Sequence, residues 1–351
     1  MELAKTHRYV SQMQHNFGVS PLLQSHMLEF GSELPFERSA QLLNTVLPSA
    51  QVCASQSQRL TEYFGKLEQV EEVLTSPGFD FDLSHQANAN AAPVAPILYV
   101  EPDGGHIRTD EGFRETKVGR LFGAHHLVKI SSDNEGVELR MALTKSDYIA
   151  QLGSSTDFTQ RFDKLIAAHL KQTLNLQLVA ISDGAEWIAH WLASRHSDAV
   201  MILDFYHATK HLADFAKAAF SDDKACSSWI ETWSKQLLEG QLDRVIEAIV
   251  DKKNTCKSQH VKQQADSLIK YYEHNRYRMK YHQYLAAGYC IGSGAIESAI
   301  STLVQQRCKL VGQRWTKGLN AVLNMRAVFK SHKRESLRNV IALKMGLARA
   351  A

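Results

Sequence analysis

The chain has 351 residues, 44% of them hydrophobic and 22% charged, with 40 Lys or Arg against 37 Asp or Glu. That balance excludes a disordered tail, because enough apolar surface is present to bury a core, and the length suits two or three domains. The five cysteines Cys53, Cys226, Cys256, Cys290 and Cys308 form no CxxC pair, and no apolar run approaches the roughly 20 residues of a membrane span, which argues against a disulfide scaffold, a zinc site and a membrane partner.

In chain order, helices are predicted over residues 22–30, 36–47 and 55–73, broken by Gly31 and Pro35 and then by Pro48 and Ser49. Ala40, Leu42, Leu43, Val46 and Leu47 precede a short turn and a second helix bearing Gln56, Gln58, Arg59 and Thr61. This is helix-turn-helix spacing, which would place Gln58 and Arg59 against base edges in a DNA groove. A plain helical hairpin gives the same pattern, and the region is not basic. The expected first domain is 1–75, followed by a linker over 76–96 that holds three of the seven prolines.

From residue 97 the pattern changes to α/β. Ile97, Leu98, Tyr99 and Val100 predict a strand leading to Asp103-Gly104-Gly105; strands follow near 116–124 and 126–130, then helical stretches over 144–173. Leu178, Val179 and Ile181 predict the next strand, ending in Asp183-Gly184, and AVMILDFYH the fifth, ending in Asp204 and His207. An Asp before Gly is also an ordinary turn element. A helical insertion is expected over 208–288, its Trp229, Trp233, Tyr271, Tyr272 and Tyr281 reading mainly as core. The last segment, 289–351, opens with GSGA and a helix carrying Glu297, for which Ser293 offers an N-cap; a first-turn acid is also what the helix dipole favours.

Residues 291–351 contain eleven Lys or Arg against Glu297 and Glu335. A segment this basic is placed to neutralise phosphates, with Arg307, Lys309, Arg314 and Lys317 as expected contacts and Trp315 able to stack on DNA; a solvated charged face is the blander alternative. Asp103, Asp183 and Glu297 together read as a two-metal phosphoryl-transfer site. Two hard cations with oxygen ligands, held roughly 3.5 to 4 Å apart, stabilise both the attacking and the leaving oxygen of a phosphate displacement.

The segments YVEPDGGHIRT, AISDGAEWIAHWL, MILDFYHATKHL and GSGAIESAISTLVQQRCKLVGQRWTKGLNAVLNMRA resemble the core blocks of bacterial insertion-sequence DDE transposases of the ISKra type, distant relatives of the Mutator-like group. The resemblance implies an α/β RNase H-like core with a mixed five-stranded sheet, in which Asp103, Asp183 and Glu297 form the catalytic triad on two Mg2+ or Mn2+ ions. It further implies cleavage at transposon ends and joining of the freed 3′ hydroxyl to target DNA, with Asp204 and His207 supporting the site. Pairing two ends would need a homodimer or higher oligomer. The expected compartment is the cytoplasm, with the protein on the nucleoid when bound to DNA. A catalytically inactive DNA-binding derivative and an RNase H-like nuclease or resolvase remain the alternatives.

Overall fold

The computed structural model describes residues 17–81, 96–130, 140–173, 175–292 and 299–344. Helix α1 (Pro21–Glu33) starts where local chemistry allows: Ser20 accepts the Leu23 N–H on Oγ at 3.3 Å, and Pro21 fills the first turn, where its missing N–H costs nothing. Pro35 likewise leads into α2 (Phe36–Val46). The single helix expected over 55–73 is instead two, α3 (Ala54–Phe64) and α4 (Glu68–Thr75), divided at Gly65. The reason is tertiary: a Cβ on Gly65 would stand 2.5 Å from the Ala321 Cα, so only glycine admits the backbone that passes there.

That backbone belongs to α13 (Leu319–Lys330), whose residues Leu319, Ala321, Val322, Leu323, Met325 and Val328 are buried on nearly every side. It packs with α1, α3 and α4, which contribute Met27, Leu28, Leu60, Phe64, Val70 and Leu74 to the same core. Arg326 is buried among them. It donates to Leu303 O and Ser32 O, each at 2.8 Å, to Glu33 at 3.0 Å, and to Thr302 O. Arg326→Met is expected to lose about 2–3 kcal/mol, because the carbonyls it satisfies would be left buried and unpaired. A urea midpoint within error of wild type would show that water replaces the guanidinium.

The strands are β1 (Ile97–Thr109), β2 (Gly112–Gly123), β3 (Leu127–Ile130), β4 (Arg140–Leu143), β5 (Asp147–Leu152), β6 (Gln177–Ser182) and β7 (Val200–Leu203). Five form a mixed sheet in the order β5-β2-β1-β6-β7, while β3 and β4 pair separately. β1 runs parallel to β6 with Val100 opposite Ala180, and β6 parallel to β7 with Ser182 opposite Leu203; β2 and β5 are antiparallel. Helices flank the sheet, beginning with α5 (Ser155–Gln172) and α6 (Glu186–Arg195).

The sheet corrects three expectations from the sequence. β1 does not end before Asp103 but continues to Thr109, so Asp103, Gly104 and Gly105 lie within a strand and not in a turn. Residues 147–152, expected to be helical, form β5; its Tyr148, Ile149 and Ala150 are all buried, so the alternation that marks a half-exposed strand is missing. Gly153, at φ +105, then ends the strand, and the Ser154 hydroxyl caps α5. The fifth strand stops at Leu203, because Asp204 caps helix α7 (Phe205–Ala219) by accepting the His207 N–H at 3.0 Å.

The start of the expected linker is also structured. Gly78 donates its N–H to Asp147 at 2.8 Å, and the buried Phe79 ring lies 4.4 Å from that of His169. Residues 82–95 fall outside the described residues.

Two compact units result, one comprising 1–96, 103–176 and 298–351, the other 97–102 and 177–297. Beyond α7 the second continues through α8 (Asp223–Leu238), α9 (Leu242–Thr255), α10 (Gln259–Asn275) and α11 (Tyr281–Ala286). Its helices meet through Phe215, Trp229 and Trp233 and through buried Val245, Ile249, Ala265 and Tyr272. The first unit also holds a π-helical turn (Ser301–Gln305) running into α12 (Gln306–Cys308), and α14 (Arg334–Lys344). Among the described residues no helix is long and apolar enough to cross a membrane.

Candidate active site

In the second unit, β6 delivers Asp183 to a sharp strand-to-helix turn. Asp183 Oδ1 accepts the Ala185 N–H at 3.0 Å, Gly184 takes φ +97, and α6 begins at once. The neighbouring strand end is joined to this one, since Asp204 donates its N–H to Ser182 O at 2.8 Å. Asp204 is nearly buried and His207 stands one turn into α7. Asp204 and His207, expected as support for the site, thus stand at the strand end beside that of Asp183, with the Asp204 carboxylate accepting the His207 N–H.

Tyr271, expected as core packing, and Arg278 and His211, which were not singled out, complete this surround. Tyr271 of α10 donates its hydroxyl to the Asp183 carbonyl at 2.8 Å. Burial first, and then the charges of Asp183 and Asp204, push its phenol well above the usual tyrosine range, so it stays a donor at any working pH. Arg278, fully buried, reaches Ser182 Oγ at 3.3 Å and also Asn275. The His211 ring lies 4.8 Å from both His207 and Tyr271. Burial, then the neighbouring His207, lowers the His211 pKa below 6.5, so it is neutral near pH 7. The His207-to-His211 spacing on one helix face was the available sequence signal for His211. Tyr271 and Arg278 had none, because 88 and 96 residues separate them from their partners.

A cleft of about 430 Å³ opens beside Tyr271, lined by His211, Asp214, Phe215, His260 and Gln264 among others. Ile291 and Gly292 run along the same corner: Phe205 donates its N–H to Ile291 O at 2.9 Å, and a Cβ on Gly292 would lie 3.1 Å from Asp204 Oδ1. The chain then enters 293–298, so Glu297 and its expected cap Ser293 lie outside the described residues.

In the first unit, Asp103 stands half-buried on β1, its Oδ1 accepting the Gly104 N–H at 2.7 Å. Ile300, just beyond Glu297 in sequence, packs over Gly105, where a Cβ would meet it at 3.3 Å. Hard carboxylate oxygens of this kind suit Mg2+ or Mn2+. Among the described residues, no group of three or more His, Cys, Asp or Glu stands close enough to hold a metal ion.

The basic C-terminal segment departs furthest from expectation. Arg307, expected on a phosphate, is 2% exposed, donates to Gly31 O at 3.4 Å and packs between the Phe36 and Trp315 rings. Trp315 is buried as well, with Nε1 donating to Cys308 O, its ring against Arg307 and its backbone paired to β1 at Thr109. Arg326 and Lys330 pair with Glu33, Arg334 with Glu29 and Arg338 with Glu335. Much of the positive charge thus serves to hold α1, α13 and α14. Lys309, Arg314 and Lys317 remain exposed, Arg314 in an ion pair with Asp110 at 2.8 Å. On α3, Arg59 is exposed while the Gln58 amide is engaged by Glu62 at 2.9 Å.

Residues 82–340 match the model of an uncharacterised protein family, UPF0236, over well more than half of the chain. The chain belongs to UPF0236. No curated protein matches it significantly. The stretch matched to UPF0236 includes Asp103, Asp183, Asp204, His207 and Glu297 and leaves α1–α4 outside it.

Proposed function

We propose that this member of UPF0236 is a DDE transposase with an RNase H-like core, acting on transposon-end and target DNA through Asp103, Asp183 and Glu297. The observation that carries the reading is the parallel register of β1 and β6. With Val100 opposite Ala180, Asp103 follows the paired stretch of its strand by the same step as Asp183 follows that of the other. Asp183 leaves the carboxyl end of its strand, where open α/β sheets commonly hold ligand residues, while β1 runs on past Asp103. Asp204 flanks Asp183, and Ile291 and Gly292, a few residues before Glu297 in sequence, lie against Phe205 and Asp204. The resemblance of the four sequence blocks supplies the reaction class.

In that chemistry, water displaces the 3′ oxygen from a phosphorus at the transposon end. One P–O bond forms and one breaks, leaving a 3′ hydroxyl and a 5′ phosphate. The freed hydroxyl then attacks a target phosphodiester, losing its proton as the departing 3′ oxygen gains one. Bound Mg2+ or Mn2+ would supply the positive charge that this displacement needs. The chain's own part is positioning: the Ala185 N–H fixes Asp183, and the His207 N–H fixes Asp204.

The test is incubation of the protein with Mg2+ and the DNA flanking its gene. Cleavage producing 3′ hydroxyl ends, followed by joined products, supports the proposal; cleavage without joining favours the nuclease or resolvase alternative, and no metal-dependent cleavage overturns it. For DNA contact, Lys309→Ala and Lys317→Ala should each lower the slope of log affinity against log salt by about one. Arg307→Ala should leave that slope unchanged and lower stability instead, because its guanidinium is enclosed. A reduced slope for Arg307→Ala would mean that the segment rearranges on DNA.

A further inference from the structure

We propose that Tyr271 is the positioning residue for Asp183, which makes the helical segment after α7 a working part of the acid site; this rests on the metal-dependent reading above. The phenol hydroxyl bonds the carbonyl of the acid residue itself, at 2.8 Å. Rotation of the Asp183 peptide, which would swing the carboxylate, breaks that bond. The next residue is held by shape: Gly184 is at φ +97, and a Cβ there would stand 3.1 Å from both the Tyr271 ring and Leu203. The turn therefore rests on the ring, while its other side is closed by the Ala185 N–H on the Asp183 carboxylate.

Tyr271 is itself braced. Its carbonyl accepts the Asn275 side-chain amide at 2.8 Å; Asn275 is bonded to Arg278, and Arg278 bonds Ser182, the residue before Asp183. One end of α10 thus fixes two consecutive residues of the β6 exit. The adjacent Tyr272 provides the contrast, since its hydroxyl bonds Ala208 O at 3.0 Å and so holds α7 rather than the acid. Outer partners that orient metal-ligating groups change metal affinity by about 10–100-fold when removed. Tyr271 has that relation to Asp183, and Tyr272 does not.

The experiment is calorimetric titration of the full chain with MnCl2, together with hydrogen exchange over residues 182–188, for wild type, Asp183→Asn, Tyr271→Phe and Tyr272→Phe. Tyr271→Phe is expected to bind Mn2+ about tenfold more weakly and to exchange faster at 183–186. Tyr272→Phe, which loses a comparable bond in the same helix, should keep wild-type Mn2+ affinity and wild-type exchange there. Unchanged affinity in Tyr271→Phe, or an equal loss in both tyrosine variants, would overturn the proposal, the second by showing general loosening of the helices. Wild type that takes up no more Mn2+ than Asp183→Asn would overturn the metal-dependent reading itself, a failure visible before either tyrosine variant is measured.

Discussion

Asp183→Asn is expected to remove Mg2+-dependent strand cleavage while leaving DNA affinity and its salt dependence close to wild type. The substitution isolates charge. Asparagine keeps the Oδ1 that accepts the Ala185 N–H, so the strand-to-helix turn and the start of α6 are preserved. What is lost is one unit of negative charge and one hard oxygen donor. The loss should exceed the roughly 100-fold that removing an outer partner of a metal site costs. DNA affinity should persist, because the exposed cations Lys309, Arg314 and Lys317 lie on other elements. Cleavage assays paired with a salt series of binding measurements separate the two properties. Retained cleavage by Asp183→Asn would sink the assignment, and equal loss of binding would mean that the acid acts through folding.

Asp147→Ala is expected to destabilise the protein more than either Arg326→Met or Arg307→Ala. Asp147 at the start of β5 is completely buried and bonds three groups from distant segments: Lys333 at 3.0 Å, His169 at 2.8 Å and the Gly78 N–H at 2.8 Å. Removing it leaves the Lys333 ammonium buried, with Leu74 O as its remaining hydrogen-bond acceptor. Breaking such a pair by deleting one member typically costs about 3–5 kcal/mol, which should appear as a fall of roughly 10 °C in Tm. A change under about 1 kcal/mol would show that Lys333 reaches water when its partner is gone.

The same carboxylate sets a pH dependence. Burial works to raise its pKa, but Lys333, His169 and the Gly78 N–H together hold it below the ordinary 3.8. A depressed carboxylate contributes stability that is fully present above 3.8 and is lost as pH falls through the lower folded value. Stability should therefore decline below pH 3.8 more steeply in wild type than in Asp147→Asn, followed by urea melts across that range.

The expectations that held were those set by neighbours in sequence. Helices α1 and α2 lie where 22–30 and 36–47 were expected, although α1 runs on through Gly31 to Glu33, and the hydrophobic runs at 97–100 and 178–181 are neighbouring strands. The misread segments have a common cause. β5 is buried over its first four residues in succession and so shows no period-two pattern, and Gly65 breaks a helix only because Ala321 passes against it. At the proposed site, Asp103 and Asp183 stood out because each follows a hydrophobic run. Tyr271 and Arg278 could not stand out, being one aromatic and one cation among many in a helical stretch.

By itself the sequence determined the helices of 22–30 and 36–47, the neighbouring strands of 97–100 and 178–181 and the Asp183 that follows the second, since all of these depend on residues a few positions apart. Tertiary structure alone decided which charges are available. Arg307 bonds Gly31, Arg326 bonds Ser32 and Lys333 bonds Leu74, across 276, 294 and 259 residues. A cation enclosed by partners that remote reads in the sequence like one facing solvent, and only packing separates those that hold the helices from those free to meet a phosphate.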